Sequence, residues 1–221
     1  MRNIIRFLIT INFKTIYFNL RYLPIGQAIK LPILLSRKVC LRKTAGKISF
    51  LGPVYHAMVQ IGFGDIEIFD KKASRAIWDV SGHVVFNGRA HMGHGTKISV
   101  REGGTLTLGN NFTISAESAI WVFENIHIGD DCLLSWDVLV MDSDHHKIMD
   151  GSGEVINPPA PIVIGNRVWI GCRCSILKSS KIPDNSVVGA NSVVTGELLE
   201  KNGLYVGVPA NIVKGNIDWA M

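Results

Sequence analysis

Ile164-Gly165-Asn166-Arg167-Val168-Trp169-Ile170-Gly171 opens the stretch that decides the fold. Stepping by six from Ile164 gives Ile170, Ile176, Ile182, Val188 and Val194, every one a β-branched aliphatic residue. Ile, Leu and Val make up 64 of the 221 residues. A run of six in a fixed phase therefore arises by chance about 6 times in 10,000. The same step upstream gives Ile128, Leu134 and Val140, then Leu108, Ile114 and Ile120, then Phe86, Met92 and Ile98. Gly often follows the aliphatic position, as at Gly93, Gly109, Gly129, Gly165, Gly171 and Gly189.

A period of six matches neither the 3.6 of a helix nor the alternation of a strand. It matches a short strand, a corner, and a repeat. Three hexads make one triangular coil, with one aliphatic side chain per side aimed at the axis. Cys174, Ser180, Ser186 and Ser192, four positions after the aliphatic residue, are small enough to point inward as well. Gly and Asn suit corners because they tolerate positive φ. The body is expected to be a mainly β, parallel solenoid whose coils bury one another.

The phase slips by four residues between Ile98 and Leu108, by two between Ile120 and Ile128, and by 18 between Val140 and Ile164. The last interruption holds Asp142-Ser143-Asp144-His145-His146, two glycines and three prolines. A long excursion from a regular scaffold commonly carries function. The expected organisation is an arm over 1–47, a solenoid over 48–196 with a loop at 142–161, and a C-terminal segment over 197–221.

Charge divides the chain in the same way. Residues 1–64 carry ten Lys or Arg and no acid, leaving 13 basic and 18 acidic residues from 65 onward. The basic excess belongs to the arm, which argues against a nucleic-acid-binding body and for an arm that meets anions. Arg2, Arg6, Thr10 and Lys14 are spaced four apart, and Arg21 falls in the same helical arc. Ile4, Ile5, Leu8, Ile11, Ile16, Phe18 and Leu20 cover much of the rest. Two roles fit residues 1–22: a cap on the open end of the solenoid, and peripheral contact with the inner membrane surface. No charge-free run in the first 40 residues exceeds eight, too short to span a bilayer. A secretory signal is poor, with Thr10 and Asn12 interrupting Phe7–Phe13. The four cysteines lack the C-x-x-C spacing of zinc or redox sites and read as reduced thiols, hence a cytoplasmic protein.

The Trp169-Ile170-Gly171 segment, then Ser186-Val187-Val188-Gly189-Ala190-Asn191-Ser192-Val193-Val194-Thr195, then Gly207-Val208-Pro209-Ala210, resemble the C-terminal signature of hexapeptide-repeat acyltransferases. Within that family the chain resembles sugar O-acetyltransferases of bacterial surface polysaccharides. The resemblance implies a left-handed parallel β-helix, a homotrimer, and acetyl-CoA as co-substrate in the groove between subunits. It implies acetyl transfer to a sugar hydroxyl, a histidine general base in the interrupting loop, and no metal. His146 fits the pattern of a base followed one residue later by an aliphatic residue, here Ile148; His145 fits an ungapped alignment to galactoside-type relatives. For the donor the resemblance points to Trp169, the Cys172 backbone, Ala190, Ser192 and Thr195. Gly196 and Asn211 stand where many relatives carry a basic residue, which leaves Lys214 for the CoA phosphates. Asp142, Asp144, Trp136 and Glu117 are candidates for the acceptor side. Alternatives are N-acetylation of an amino sugar, a non-catalytic scaffold, and a zinc-dependent carbonic anhydrase drawing on His83, His91, His94 or His127.

Overall fold

The computed structural model describes residues 11–220. The chain winds as a parallel β-helix of triangular section, left-handed as the resemblance implies, with three sheets as its faces. The first face stacks Ile33–Leu35, Val59–Phe63, Ala90–Gly93, Phe112–Ile114, Leu133–Leu134, Trp169–Ile170, Val187–Val188 and Leu204–Val206 in parallel, and Asn211–Lys214 closes it antiparallel. The second face stacks Cys40–Thr44, Ile77–Val80, Lys97–Val100, Ala119–Val122, Leu139–Met141, Ser175–Leu177 and Val193–Val194. The third runs from Lys47–Phe50 through His83–Phe86, Thr105–Leu108, Asn125–Ile128 and Ile162–Ile164 to Lys181–Ile182.

The hexad residues form the axis. Leu134, Ile170 and Val188 are successive rungs of the first face, Val140, Ile176 and Val194 of the second, and Ile128, Ile164 and Ile182 of the third. All nine are at most 2% exposed. Each burial of this kind contributes about 1.5–3 kcal/mol, and eighteen-residue coils repeat it on every side. Cys174, Ser180, Ser186 and Ser192 are buried as the small inward residues.

The corners divide their labour differently from the sequence reading. Positive φ falls three residues after the aliphatic position, at Arg167, Arg173, Ser179, Asn185 and Asn191. The glycine directly after the aliphatic residue serves close approach instead. A Cβ at Gly171 would stand 2.7 Å from the Ala190 backbone nitrogen in the next coil.

The solenoid begins earlier than residue 48. Ile33–Leu35 and Cys40–Thr44 are the first two sides of the first coil, so the arm ends before Ile33. The segment's lack of clean hexads hid it. Helix α1, Phe13–Tyr22, then covers that coil. Its N-cap Asn12 accepts from the Thr15 N–H. Phe18 is fully buried against Trp78, ring centroids 5.2 Å apart, and Trp78 Nε1 donates to the Tyr22 hydroxyl. Burial pushes the Tyr22 phenol up from its ordinary value. Asn19 Nδ2 donates to Ile33 O at 2.7 Å, and its Oδ1 accepts from Ile33 N–H. The helix thus satisfies the open strand edge that water would otherwise solvate, which is the capping role. Arg2, Arg6 and Thr10 of the proposed basic stripe lie outside the described residues. No helix among the described residues is long and apolar enough to cross a membrane.

Candidate active site

The loop between Met141 and Ile162 leaves the second face and returns to the third, so it sits on the edge between them. A polar latch shapes it. Lys178 Nζ binds Asp144 Oδ2 at 2.5 Å and donates to the carbonyls of Asn157 and Pro158. Asn157 Nδ2 donates to Asp144 Oδ2 and to His146 O, and Asn157 Oδ1 accepts from Ile148 N–H. The hydrogen bond from Lys178, then that from Asn157, hold the Asp144 carboxyl below its ordinary range. Asp144 therefore fixes the loop rather than an imidazole.

Asp142 does not face an acceptor, contrary to the sequence expectation. It is fully buried, and its carboxylate accepts from the backbone N–H groups of Phe123, Glu124 and Asn125 at 2.7–2.9 Å. It ties the start of the loop to the same corner of the coil above. Replacing it with alanine removes the charged acceptor of three part-buried backbone N–H groups. The expected cost is about 3 kcal/mol or more. A thermal melt should show a fall of about 6 °C or more, with Asp142→Asn intermediate because one acceptor oxygen remains.

Both histidines are exposed. His145 has φ +65° and lies against Trp121 and Phe123, at centroid distances of 5.0 and 5.6 Å. Among the described residues the aromatic neighbour of the His146 ring is His145, edge-on at 4.9 Å. Its backbone is pinned by an N–H donated to Asp144 O and by the Asn157 amide. Trp121 and Phe123 were not singled out in the sequence. The available signal was an aromatic at an outward position, one residue after the buried Ile120, where the preceding coils carry Asp79 and Ser99.

The donor candidates gather elsewhere. Cys172, Ala190 and Ser192 lie at the edge between the first and second faces, and Trp169 projects from the first face. Trp169 Nε1 donates to Ser135 Oγ, and its ring lies 6.1 Å from that of Trp219 in the returning C-terminal tail. Ser192 is buried and its hydroxyl accepts from Gly207 N–H, so it is a structural member of this corner. Ala190 is exposed. The Cys172 N–H has no acceptor among the described residues, while its carbonyl accepts from Asn191 N–H. Thr195 is exposed at the histidine edge, two coils below the loop, and Lys214 is exposed on the closing antiparallel strand. Trp136 belongs to the donor edge, half-buried beside Asp137 and Arg173, and not beside the histidines.

Glu117 is held by two partners. Its carboxylate accepts from Ser74 Oγ and from Lys97 Nζ at 2.7 Å. Burial pushes its carboxyl up, but these hydrogen bonds and the Lys97 charge outweigh it and hold the group below its ordinary value. Glu117 anchors the excursion over 64–76 to the coil. His83 and His127 sit on the third face, His91 on the first and His94 at a corner. Among the described residues no three metal-ligating side chains come together within one chain. Burial lowers the His91 imidazole below its ordinary value. All four cysteines are unpaired, and burial pushes the Cys132 thiol up to about 12.

Comparison with known proteins meets this geometry. The model of the bacterial transferase hexapeptide (six repeats) family matches residues 161–196. The chain is 32% identical over 142 residues to the putative lipopolysaccharide biosynthesis O-acetyl transferase WbbJ of Escherichia coli (strain K12), covering 60% of this chain and 72% of that one. Other curated relatives are matched over 55% and 39% of their length. The crystal structure of the polysialic acid O-acetyltransferase OatWY superposes with a TM-score of 0.53 at 26% identity, covering 86% of this chain and 87% of that one. The galactoside acetyltransferase in complex with coenzyme A superposes with a TM-score of 0.51 at 28% identity, covering 60% and 64%. With its hexad core, its interrupting loop and these relatives, the chain belongs to the hexapeptide-repeat acyltransferases.

Proposed function

We propose that this enzyme transfers an acetyl group from acetyl-CoA to a hydroxyl of a sugar or surface-polysaccharide precursor, with His146 as general base. One observation carries the reading. An exposed histidine pair is latched beside an aromatic platform on one edge of the prism, while an unpaired Cys172 N–H marks the neighbouring edge. Galactoside acetyltransferase with bound coenzyme A, a structural relative, supports acetyl-CoA as the co-substrate. The chemistry asks little of the protein because the thioester is already activated. The imidazole accepts the hydroxyl proton as the sugar oxygen attacks the thioester carbonyl carbon. The oxyanion of the tetrahedral intermediate accepts from the Cys172 N–H. Its collapse breaks the C–S bond, and the imidazolium returns the proton to the departing CoA sulfur. Trp169 and Ala190 line the donor groove from one subunit and Thr195 from the histidine edge of its neighbour, with Lys214 toward the CoA phosphates. The Cys172 thiol takes no part.

The active unit of this reading is a homotrimer. A base must come within about 3 Å of the proton it removes. The histidine edge and the Cys172 edge of one chain are separated by the width of the second face, about 10 Å for three residues. Two edges from different subunits meet where one chain's two edges do not. A CoA-release assay with acetyl-CoA over a panel of sugars tests the function: release that requires a sugar is expected, and no release with any acceptor overturns it.

The proposal places the enzyme in the cytoplasm at the inner membrane surface. The cap leaves Phe13, Ile16, Tyr17, Leu20, Ile25 and Ile29 exposed, with Arg21 and Lys30 among them, while Lys14 is half-buried and donates to the carbonyls of Arg37 and Val39. Such a basic, apolar face suits an anionic bilayer, each Lys or Arg adding about 1 kcal/mol. Flotation with anionic vesicles that fades at high salt is the expected result; equal flotation with neutral vesicles, or none, overturns it.

A further inference from the structure

The second face carries a groove that the reaction leaves unexplained. It has a volume of about 550 Å³ and runs across five coils, from His145 and Trp121 to Arg42 and Lys43. Trp121, Ser99, Asp79 and Lys43 are successive rungs of one outward-facing row. At 4.8 Å per rung, Lys43 lies about 14 Å from Trp121, longer than one sugar ring.

Its charge is built by a backbone irregularity. Leu41 pairs with Trp78 and Lys43 with Asp79, so Arg42 is an extra residue in a bulge. A bulge sets two residues against one and re-aims a side chain. Here both Arg42 and Lys43 are exposed on the groove side, whereas strict alternation would turn one inward. Arg42 meets Asp79 at 3.6 Å and Lys97 meets Glu117 at 2.7 Å. Lys43 and Arg101 make no ion pair among the described residues. Arg101 Cζ lies 4.6 Å from the Phe123 ring centroid, a cation–π contact that keeps the guanidinium beside the groove without neutralising its charge. Four cations thus line the groove against two acids, Asp79 and Glu102.

Resting on the transferase reading above, we infer that the acceptor is an anionic glycan lying along this groove. One ring stacks on Trp121 beside the histidines, and acidic groups on neighbouring units engage Arg101 and Lys43. Aromatic side chains offer an apolar face to the C–H face of a sugar ring. Lys43 and Arg101 are solvated and unpaired, so binding an anion does not require breaking an ion pair first. Carboxylate and phosphate groups share this chemistry.

Binding to the full-length protein decides the matter, with three probes: an oligogalacturonate, a phosphodiester-linked oligosaccharide and the neutral maltotetraose, each at low and high salt. The expected result is an acidic probe bound at least about tenfold more tightly than the neutral one, weakening with salt. Lys43→Gln with Arg101→Gln should cost that probe about tenfold or more and leave maltotetraose within about twofold. Both side chains are exposed, and thermal melts verify that the variant folds. Preference for the carboxylate or the phosphate probe identifies the acidic group. No preference for either acidic probe, or full affinity in the double variant, overturns the inference. Acetyl transfer to neutral sugars alone would refute it while sparing the transferase reading. Lys43- and Arg101-dependent binding of an acidic glycan, without transfer to any acceptor, would do the reverse.

Discussion

His146→Ala lowers kcat by about 10²–10⁴-fold while KM for acetyl-CoA stays nearly constant. The imidazole acts only as the hydroxyl oxygen begins to share electrons with the thioester carbon, so its loss falls on the transition state and not on donor binding. The structure separates the two histidines by their surroundings. His145 lies against Trp121 and Phe123 and lines the groove, whereas the His146 ring has His145 as its aromatic neighbour among the described residues and its backbone is held by Asp144 and Asn157. His145→Ala is therefore expected to act mainly on acceptor KM, by exposing one side of the aromatic platform. Steady-state kinetics on both variants check this. A dead His145→Ala beside a near-normal His146→Ala would transfer the base to His145.

Activity returns when two inactive variants are co-assembled. His146→Ala removes the base, and Ala190→Trp fills the donor edge from an exposed position where bulk costs the fold little. Each alone is expected to be inactive. If every site joins the histidine edge of one subunit to the donor edge of the next, random trimers of the two made in equal amounts recover about a quarter of the normal sites. Co-expression with different affinity tags, mixed-species purification and a CoA-release assay give the number. Sites contained within one chain would show no recovery at all, because every subunit carries one defect. Solution mass measurement on the same sample fixes the number of chains.

The axis of this protein was legible in the sequence because its period is local. A residue every six positions meets the same environment on every coil, so Ile164 to Val194 announce their burial without knowledge of any distant neighbour. The 142–161 loop was legible for the complementary reason: 18 residues that break the phase have no place in the wall. What the sequence did not reveal depends on which coil lies beside which. Asp142 and Asp144, two residues apart in the same polar run, have separate fates, one buried on three amides of the preceding coil and the other clamped by Lys178. Arg42 and Lys43, read as part of a basic arm, become groove residues because a bulge and strand pairing to Ile77–Val80 carry them onto the second face. Trp121 gains meaning only from His145, 24 residues further along, arching back against it. Periodicity along the chain determines which side chains face inward. Outward faces carry no such constraint, and only the stacking of coils decides which outward side chains share a surface.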